Sequence, residues 1–511
     1  MLALALGSLL CRPFLPEVAI TVDAASKVPI SPYIYGANHP EWDKTGELFT
    51  IARQGGNRMT AYNWETNASN AGSDWHHQND GYLGESNEAG WTTRTFLEAA
   101  QNHHAAAILT IPTAGYVAAD KNGDGDVNKT PDYLNKRFLK SFAKKPSGKY
   151  QYPPDVKDKA VYQDEFVSWL EKIKSPKTPV FFSLDNEPDL WGSTHARIWP
   201  KAPTYAQIIA NNIEFATAIK AVAPKALIFG PANYGWQGFK TFQNASDANG
   251  RDFLDVYLAA MRDAEKKAGK RLLDVLDIHW YPEAQGDGIR ITFTGEKDKP
   301  GTKAARVQAP RSLWDPTYVE DSWIANSIGK KPIVLLPNLI AQIKRQYPNT
   351  RLAITEYNYG GGDDISGALA QADVLGLFGR YGLFAACNWG VGPKDVGQLA
   401  GFKAYTDYDG KGAKFGNLSL GVRGTKPAED SVYASLDTSL NGLMTLVIVN
   451  KTKEPRSYRI STPGYTPRAA RAFIFSTPNL TAAAPTKANV LPGGASVSVP
   501  SESITTLELK V

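Results

Sequence analysis

Residues 180–191, VFFSLDNEPDLW, decide the fold, because a short and largely apolar run gives way at once to acidic and amide side chains. Such a run, bounded by turn-forming Asp, Asn and Pro, predicts a buried parallel strand. Residues 352–361, LAITEYNYGG, repeat the pattern. In both stretches a glutamate, Glu187 or Glu356, falls at the C-terminal end of the strand. That end is where α/β barrels carry their chemistry.

Runs of this kind alternate with amphipathic helical stretches, which is the pattern of a parallel α/β fold. The predicted strands are Tyr33–Ala37, Gly56–Tyr62, Ala106–Pro112, Val180–Leu184, Ala226–Gly230, Val275–Trp280, Leu352–Glu356 and Ala385–Trp389. The predicted helices are Glu88–His104, Val161–Ile173, Tyr205–Val222, Phe253–Ala268, Leu336–Gln346 and Ile365–Arg380, with a short, irregular first crossover around Glu47–Arg53. Eight βα units predict a (β/α)8 TIM barrel enlarged by loop insertions.

The hydrophobic pattern changes after Trp389. Short runs in which apolar and polar residues alternate, separated by turn residues, replace the helical pattern. These runs are Ser431–Leu436, Leu443–Asn450, Ser457–Ser461, Ala472–Ser476, Ser496–Val499 and Thr505–Leu509. They predict an antiparallel β-sandwich appended to the barrel. We therefore expect a leader or a disordered N-terminal segment at residues 1–17, a strand joining the sandwich at 18–30, a catalytic barrel at 31–410 and the sandwich at 411–511.

The composition of the 511-residue chain excludes several classes of protein. The net charge of +5 is spread without long like-charge blocks, so we expect no nucleic-acid partner. No stretch reaches the roughly 18–20 consecutive apolar residues of a membrane span, so we expect no membrane partner. Cys11 and Cys387 fit neither a zinc site nor a disulfide framework. Residues 1–10 are apolar, as in a secretion signal, but lack a basic segment and a cleavage site. We expect the protein to be secreted and monomeric.

The two strand-end glutamates form a pair. The strands that carry them are the fourth and the seventh of the predicted barrel, so Glu187 and Glu356 face each other across its mouth. Paired carboxylates across a cleft are what hydrolysis of a glycosidic bond requires, one as a protonated acid and the other as a nucleophile or base. This chemistry needs no cofactor for catalysis.

Other strand ends supply polar and aromatic groups around that pair. Arg58 closes the predicted second strand, where a guanidinium would hold a nucleophilic carboxylate ionised. Asn186 is placed to bind a sugar 2-hydroxyl. His279 and Tyr281 close the sixth strand and Trp389 the eighth, and an indole offers a flat platform for a sugar ring.

Five segments carry a resemblance to a known family. They are YIYGAN (33–38), RQGGNRMTAYNWETNASNAGSDWHHQND (53–80), DNEPDLW (185–191), HWYPE (279–283) and TEYNYGG (355–361). Together they resemble glycoside hydrolase family 44, a group of endo-β-1,4-glucanases within clan A of the (β/α)8 glycosidases. The likeness runs from about residue 18 to the C-terminus, and the long second segment is its most specific part.

The resemblance implies a retaining mechanism on cellulose-type β-glucans, with a β-glucan polysaccharide as the partner. It also implies that Glu187 is the acid/base and Glu356 the nucleophile. Arg58, Asn186, Tyr281 and Trp389 match clan A positions around the scissile bond. We expect the pKa of Glu187 to be raised by its surroundings and that of Glu356 to be held down by Arg58.

An open cleft also needs aromatic platforms beyond the scissile bond. The candidates lie on loops that follow predicted strand ends, and they are Trp42, Tyr62, Trp64, Trp75, Trp191 and Trp236. Of these residues, Trp64 is predicted to contact the substrate.

Two groups of residues are candidates for a structural calcium, which relatives in the family contain. The loop ADKNGDGDVNKTPD places Asp120, Asn122, Asp124 and Asp126 at calcium-loop spacing, but Pro131 stands where the bidentate carboxylate belongs. The second group is Glu65, Asp155 and Asp158. The sequence does not choose between them.

Three other functions remain to be weighed. A clan A glycosidase acting mainly on xylan or mannan has the same sequence features. A non-catalytic carbohydrate-binding protein needs neither glutamate. A metal-dependent hydrolase needs histidine pairs at strand ends, whereas the doublets His76-His77 and His103-His104 lie in a loop and near a helix end.

Overall fold

Eight parallel strands close into a barrel in the computed structural model of the chain, which describes residues 16–292, 298–440 and 442–510. The barrel strands, first to eighth, are Gly36–Asn38, Ile51–Gln54, Ala106–Ile111, Val180–Leu184, Ile228–Asn233, Val275–Trp280, Arg351–Tyr357 and Ala385–Asn388. Each pairs with its neighbours in the chain, and the eighth pairs with the first. The predicted TIM barrel is confirmed.

The longer helices cover the barrel from outside. They are Trp91–Asn102, Gln163–Ile173, Tyr205–Val222, Phe253–Ala268, Leu335–Gln346, Ile365–Arg380 and Val396–Thr406. Shorter helices lie at Trp42–Thr45, Asn57–Thr60, Tyr133–Lys136, Trp191–Thr194, Trp236–Thr241, Pro300–Gln308 and Trp323–Ser327. Among the described residues no helix is long and apolar enough to cross a membrane.

The second strand was predicted in the wrong place. Ile51–Gln54 is the strand and is buried throughout, whereas residues within the predicted strand Gly56–Tyr62 form the short helix Asn57–Thr60. Gly56 has φ of +86°, a conformation that ends the strand. The apolar residues Met59 and Tyr62 are nevertheless buried, so the run looked like a strand because its side chains pack inward on a loop.

The barrel interior is apolar at one end and polar at the other. Its apolar floor is made by residues from seven of the eight strands, namely Ile51, Ala106, Ile108, Phe181, Phe229, Val275, Ala353, Ala385 and Cys387. Polar residues line the C-terminal ends of the same strands, and short two- and three-stranded ribbons in the loops surround that end. The floor therefore supports a polar site from below.

The second domain is antiparallel throughout its C-terminal strands, as predicted for the sandwich. These strands are Leu418–Arg423, Asp430–Asp437, Leu443–Asn450, Arg456–Ser461, Ala469–Ser476, Asn479–Leu491, Gly494–Val499 and Ser503–Lys510. The chain's first described strand, Glu17–Pro29, pairs antiparallel with the first of them and parallel with Arg456–Ser461, which closes the sheet around its own apolar core. Residues 1–15 of the expected leader, with Cys11, lie outside the described residues.

The two domains share a buried interface. Helix Ile365–Arg380 lies against sandwich strands, and its Asp373 forms an ion pair of 2.7 Å with Lys451. Tyr433 from a sandwich strand donates a hydrogen bond to the same carboxylate. A buried ion pair requires fixed partners, so these contacts hold the sandwich in one position against the barrel.

Candidate active site

Glu187 and Glu356 meet at the polar end of the barrel. Both are buried, and a carboxylate oxygen of one lies within 4.8 Å of a carboxylate oxygen of the other. They border a cleft of about 320 Å³ whose lining residues are Gly56, Asn57, Asp74, Asn186, Glu187, Tyr234, Tyr281, Arg290, Thr292, Glu356 and Trp389. The structure therefore brings together the pair that the two strand ends predicted.

Each oxygen of the Glu356 carboxylate has its own donor. Arg53 Nη1 donates to Oε1 at 2.6 Å, and Tyr281 Oη donates to Oε2 at 2.8 Å. Arg53 is fully buried and also donates to Asn38 Oδ1 at 3.1 Å and to Asn186 Oδ1 at 2.8 Å. Glu356 is thus fixed by Arg53 from the second strand and by Tyr281, the residue that follows the sixth strand.

Arg58 does not hold Glu356, and that prediction was wrong. Its guanidinium forms two hydrogen bonds to Asp80, of 2.8 and 2.6 Å, and lies 3.9 Å from the centre of the exposed Tyr82 ring. The guanidinium that contacts Glu356 belongs to Arg53, five positions earlier in the sequence. The error follows from misplacing the second strand, since Arg53 is the residue that the true strand points into the site.

Glu187 lies on a tight turn immediately after the fourth strand. Its φ of +42° lies in the left-handed region, and its N–H donates to the carbonyl oxygen of Ala232 at 3.0 Å. His279 Nδ1 lies 2.8 Å from Glu187 Oε1 and 3.5 Å from Glu356 Oε2. His279 is therefore wedged between the two carboxyl groups.

Asn186, next to Glu187 in the sequence, contacts the segment that follows the second strand. Its side-chain oxygen accepts from Arg53 and from the Gly56 N–H at 3.3 Å, while its amide nitrogen donates to Asn57 Oδ1 at 3.2 Å. Trp191 Nε1 donates to the Asn186 carbonyl oxygen at 3.1 Å. Asn186 is thus held by these four hydrogen bonds in the wall of the cleft.

Burial dominates the electrostatics of the site. It raises the pKa of Glu187 well above the usual range, and the negative charge of Glu356 adds to the rise. Burial also raises the pKa of Glu356, against which the charge and hydrogen bond of Arg53 act. The prediction that the Glu356 pKa is held below its ordinary value was therefore wrong, because desolvation outweighs the arginine. The two carboxyl groups still differ in the expected direction.

The imidazole of His279 is held neutral. Burial lowers its pKa well below the ordinary value, and the Arg53 charge adds to the effect. The Nδ1 atom of a neutral imidazole either accepts a hydrogen bond from a protonated Glu187 or donates one to its carboxylate, according to the tautomer.

Most of the proposed aromatic platforms are core residues. Trp64 is fully buried and stacks on Phe166 at a ring distance of 5.4 Å, so it does not contact the cleft and its assignment as a substrate contact was wrong. Tyr62 and Trp191 are also fully buried, and Trp42 nearly so. Trp75, beside the cleft residue Asp74, is 48% exposed.

The calcium-loop pattern is occupied by arginine. Arg137 Nε donates to Asp120 at 2.9 Å and its Nη2 to Asp124 at 3.0 Å and to the Asn122 carbonyl oxygen at 3.1 Å. Asp126 pairs instead with Arg197. A guanidinium takes the oxygens that a cation would need, so these residues do not fit a calcium site.

The second candidate group, Glu65, Asp155 and Asp158, differs from the loop because negative charge is in excess there. Glu65 is buried, and burial with the charges of Asp158 and Glu165 raises its pKa to about 8. The nearby Lys145 binds both oxygens of Glu165 at 2.8 Å. The negative charges of Asp158, Glu165 and Asp155 thus act on the buried Glu65 carboxyl group, and an excess of negative charge of this kind attracts a hard cation such as calcium.

Sequence reasoning missed Arg53, Asn38, Asn57 and Asp74. The signal for Arg53 was the glycine pair that follows it. A Cβ at Gly55 would lie 2.3 Å from Arg53 Cζ, and a Cβ at Gly56 would lie 2.6 Å from the Trp389 ring. Both positions must be glycine because neighbouring side chains approach the backbone closely there. The RQGG segment is therefore recognisable as a strand end at which side chains are densely packed.

Comparison with known proteins agrees with this geometry. Residues 68–284 match the model of glycoside hydrolase family 44. The crystal structure of the family 44 endoglucanase Cel44A from Clostridium thermocellum superposes with a TM-score of 0.90 at 39% identity, covering 97% of this chain and 100% of that one. The chain belongs to glycoside hydrolase family 44. The fold of this family 44 chain, barrel and sandwich together, is that of the solved enzyme.

Two curated relatives are longer than this family 44 chain. Endoglucanase A from Paenibacillus lautus is 41% identical over 457 residues, which is 85% of this chain and 64% of the relative. The β-mannanase/endoglucanase A from Caldicellulosiruptor saccharolyticus is 40% identical over 496 residues, which is 90% of this chain and 36% of the relative. The chain thus spans about two thirds and about one third of their lengths.

Mutagenesis can test whether Arg53, and not Arg58, supports Glu356. Arg53→Lys is expected to lower kcat on β-glucan about 100-fold or more, because one ammonium cannot replace a guanidinium shared by Glu356, Asn186 and Asn38. Arg58→Lys is the matched control and is expected to stay within about tenfold of the wild type, since Arg58 pairs with Asp80 outside the carboxyl pair. Steady-state rates of reducing-end release measure both. Equal losses in the two variants would contradict the assignment.

Proposed function

We propose that this family 44 hydrolase is an endo-β-1,4-glucanase that cleaves internal bonds of cellulose-type glucans with retention of anomeric configuration. The observation that carries the proposal is the pair of buried carboxyl groups, Glu187 and Glu356, with oxygens within 4.8 Å of each other. Retaining enzymes separate these groups by about 5–5.5 Å, whereas inverting enzymes leave about 6.5–9.5 Å for a water. The short separation supports a direct attack by one carboxylate.

In the first step Glu356 is the nucleophile. One of its carboxylate oxygens forms a bond to the anomeric carbon as the glycosidic C–O bond breaks, and Glu187 gives its proton to the leaving oxygen. Glu187 is suited to the acid role because burial and the charge of Glu356 raise its pKa. Arg53 and Tyr281 hold the attacking carboxylate in place from opposite oxygens.

In the second step Glu187, now a carboxylate, takes a proton from water. The water oxygen bonds to the anomeric carbon, the ester bond to Glu356 breaks, and the carboxylate returns to its contacts with Arg53 and Tyr281. A neutral His279 next to Glu187 Oε1 leaves the proton on the acid and competes for it only weakly.

The cleft supports a polymeric, uncharged substrate. It is bordered by Tyr234, Tyr281 and Trp389, and Trp75 stands exposed beside it. Aromatic faces bind the C–H faces of sugars without a need for charge. The names of the relatives from Paenibacillus lautus and Clostridium thermocellum support glucan as the main substrate.

A second candidate is a main activity on mannan, xylan or xyloglucan. The specific support for mannan is the name of the Caldicellulosiruptor saccharolyticus relative, which describes both a mannanase and an endoglucanase. Nothing in the carboxyl pair separates these substrates, because the same chemistry cleaves each of them.

The substrate and the mechanism are tested together. Wild type and Glu356→Ala are assayed on carboxymethyl-cellulose, mannan, xylan and xyloglucan, and proton NMR follows the anomer released first from a soluble cello-oligosaccharide. We expect the highest kcat/KM on carboxymethyl-cellulose, the β-anomer as first product, and a loss of at least about 1,000-fold in the variant. An α-anomer first product would refute retention, and a higher kcat/KM on mannan would favour the second candidate.

The acid role of Glu187 predicts a change in pH dependence. Its raised pKa keeps the proton available up to that pKa, so wild-type activity is lost as pH rises through it. In Glu187→Gln we expect the alkaline limb to disappear for a 2,4-dinitrophenyl glycoside, whose leaving group needs no proton. Hydrolysis of unactivated glucan should fall about 100-fold or more. Intact glucan hydrolysis in Glu187→Gln would remove the acid assignment.

We also propose a structural calcium at Glu65, Asp155 and Asp158. The support is the excess of negative charge near Glu65, whose pKa is raised by burial and by the charges of Asp158, Glu165 and Asp155, while Lys145 binds Glu165. The group lies apart from the cleft-lining residues, so the ion would stabilise the fold and take no part in the proton transfers.

Removal of this ion is expected to lower stability. A chelator should lower the Tm of the wild type by several degrees, and calcium titration by calorimetry should show one site that Glu65→Gln weakens at least about tenfold. Asp124→Asn, in the arginine-filled loop, is the control and should bind calcium like the wild type. A chelator that stops turnover without changing Tm would contradict a structural role.

We propose, finally, an extracellular monomer. A polysaccharide does not cross a cell membrane, which supports a secreted enzyme. Size-exclusion chromatography with light scattering measures the oligomeric state, and a mass of one chain is the expected result.

A further inference from the structure

The seventh barrel strand contains a β-bulge immediately before Glu356. Ile354 pairs with Ile278 on the sixth strand and Glu356 pairs with His279, so Thr355 has no partner residue on that strand. One extra residue on one strand is the definition of a bulge, and bulges re-aim side chains next to active sites.

The bulge determines where the Glu356 side chain points. Ala353 belongs to the apolar floor inside the barrel, whereas Ile354 packs in the outer core under the helices. Because side chains alternate along a strand, Thr355 points inward and Glu356 would point outward. The additional residue turns Glu356 back toward the interior, opposite His279.

Asp277 holds this bulge from the neighbouring strand. Its Oδ1 accepts the Thr355 N–H at 3.3 Å, and its Oδ2 accepts the Thr355 hydroxyl at 2.8 Å. Both residues are fully buried. The Thr355 carbonyl oxygen accepts from Asn38 Nδ2 at 2.9 Å. The backbone groups that the bulge removes from the strand ladder thus find side-chain partners, as buried backbone groups must.

Asp277 is not among the residues that line the cleft. Burial raises its pKa to about 7, and the charge of Arg53 opposes that rise. A buried carboxyl group is costly to keep, and here its hydrogen bonds all serve the residue that precedes Glu356.

We propose that Asp277 and Thr355 form a lock that fixes the bulge and thereby aims Glu356 at the anomeric carbon, which makes both of them positioning residues. The inference rests on the proposed function, in which Glu356 is the nucleophile. Displacement of a reacting group by about 1 Å costs on the order of 100-fold in rate. The lock therefore acts on the chemical step and leaves substrate binding in the cleft unchanged.

The test measures how fast Glu356 is esterified. The probe is an activated 2-deoxy-2-fluoro cello-oligosaccharide, which labels a retaining nucleophile and is followed by intact-protein mass spectrometry and peptide mapping. Thr355→Val removes the hydroxyl bond and keeps the shape, and Thr355→Ser restores the hydroxyl. Asp277→Asn keeps the shape and removes one acceptor. Thr506→Val is the matched control, because Thr506 is a buried strand threonine whose hydroxyl bonds the Ala404 carbonyl oxygen in the interface with the sandwich.

For Thr355→Val and Asp277→Asn we expect the labelling rate constant and kcat to fall about 10- to 100-fold, with KM within about twofold and full final labelling. Thr355→Ser and Thr506→Val should label at nearly the wild-type rate. If Thr355→Val and Asp277→Asn lose only Tm and label at the wild-type rate, the lock is refuted. If the wild type is not labelled at Glu356, the proposed function itself fails, which is a separate result.

Discussion

The site depends on one buried ion pair, Arg53 with Glu356. Both side chains are out of solvent, and removing two charges from water costs several kcal/mol per ion unless geometry and additional hydrogen bonds compensate. Here the compensation is complete on the carboxylate side, with Arg53 on one oxygen and Tyr281 on the other. The guanidinium binds Asn38 on strand one, Asn186 in the loop after strand four and Glu356 on strand seven. A barrel that failed to close would leave this cation without these partners, so closure of the barrel and formation of the site stabilise each other.

The difference between the two carboxyl groups follows from that pair. Both are desolvated, and desolvation alone would keep both protonated. Only Glu356 has a cation as a direct partner, whereas Glu187 has a neutral imidazole and the negative charge of Glu356 close by. The pKa of Glu187 is therefore raised well above its usual range, whereas Arg53 acts against the rise at Glu356, so Glu187 binds a proton more readily than Glu356. This difference in pKa is what the proposed roles of Glu187 as acid and Glu356 as nucleophile require.

The sequence predicted well what depends on local pattern and poorly what depends on distant packing. Strand ends are visible as apolar runs followed by polar residues, so Glu187, Glu356, Asn186, Tyr281 and Trp389 were placed correctly at one end of the barrel. The loop after the second strand was misread because its inward-facing apolar residues imitate a strand, and Arg58 was taken for Arg53 as a result.

Two further errors have the same origin. Trp64 follows a strand end but packs against Phe166 on a barrel helix, and the calcium-like loop is neutralised by Arg137 from a later segment. No local pattern contains either partner.

Backbone strain is equally invisible in the sequence. Asp185 and Glu187 have φ of +65° and +42°, and Ala232 on the adjoining strand has φ of +57°. Strain of this kind costs on the order of 1–3 kcal/mol per residue and persists only where surrounding contacts impose it. Here the hydrogen bonds from Thr60 and the Thr113 N–H to Asp185, and from the Glu187 N–H to Ala232, impose it. The position of Glu187 is thus maintained at a cost in stability that the rest of the barrel offsets.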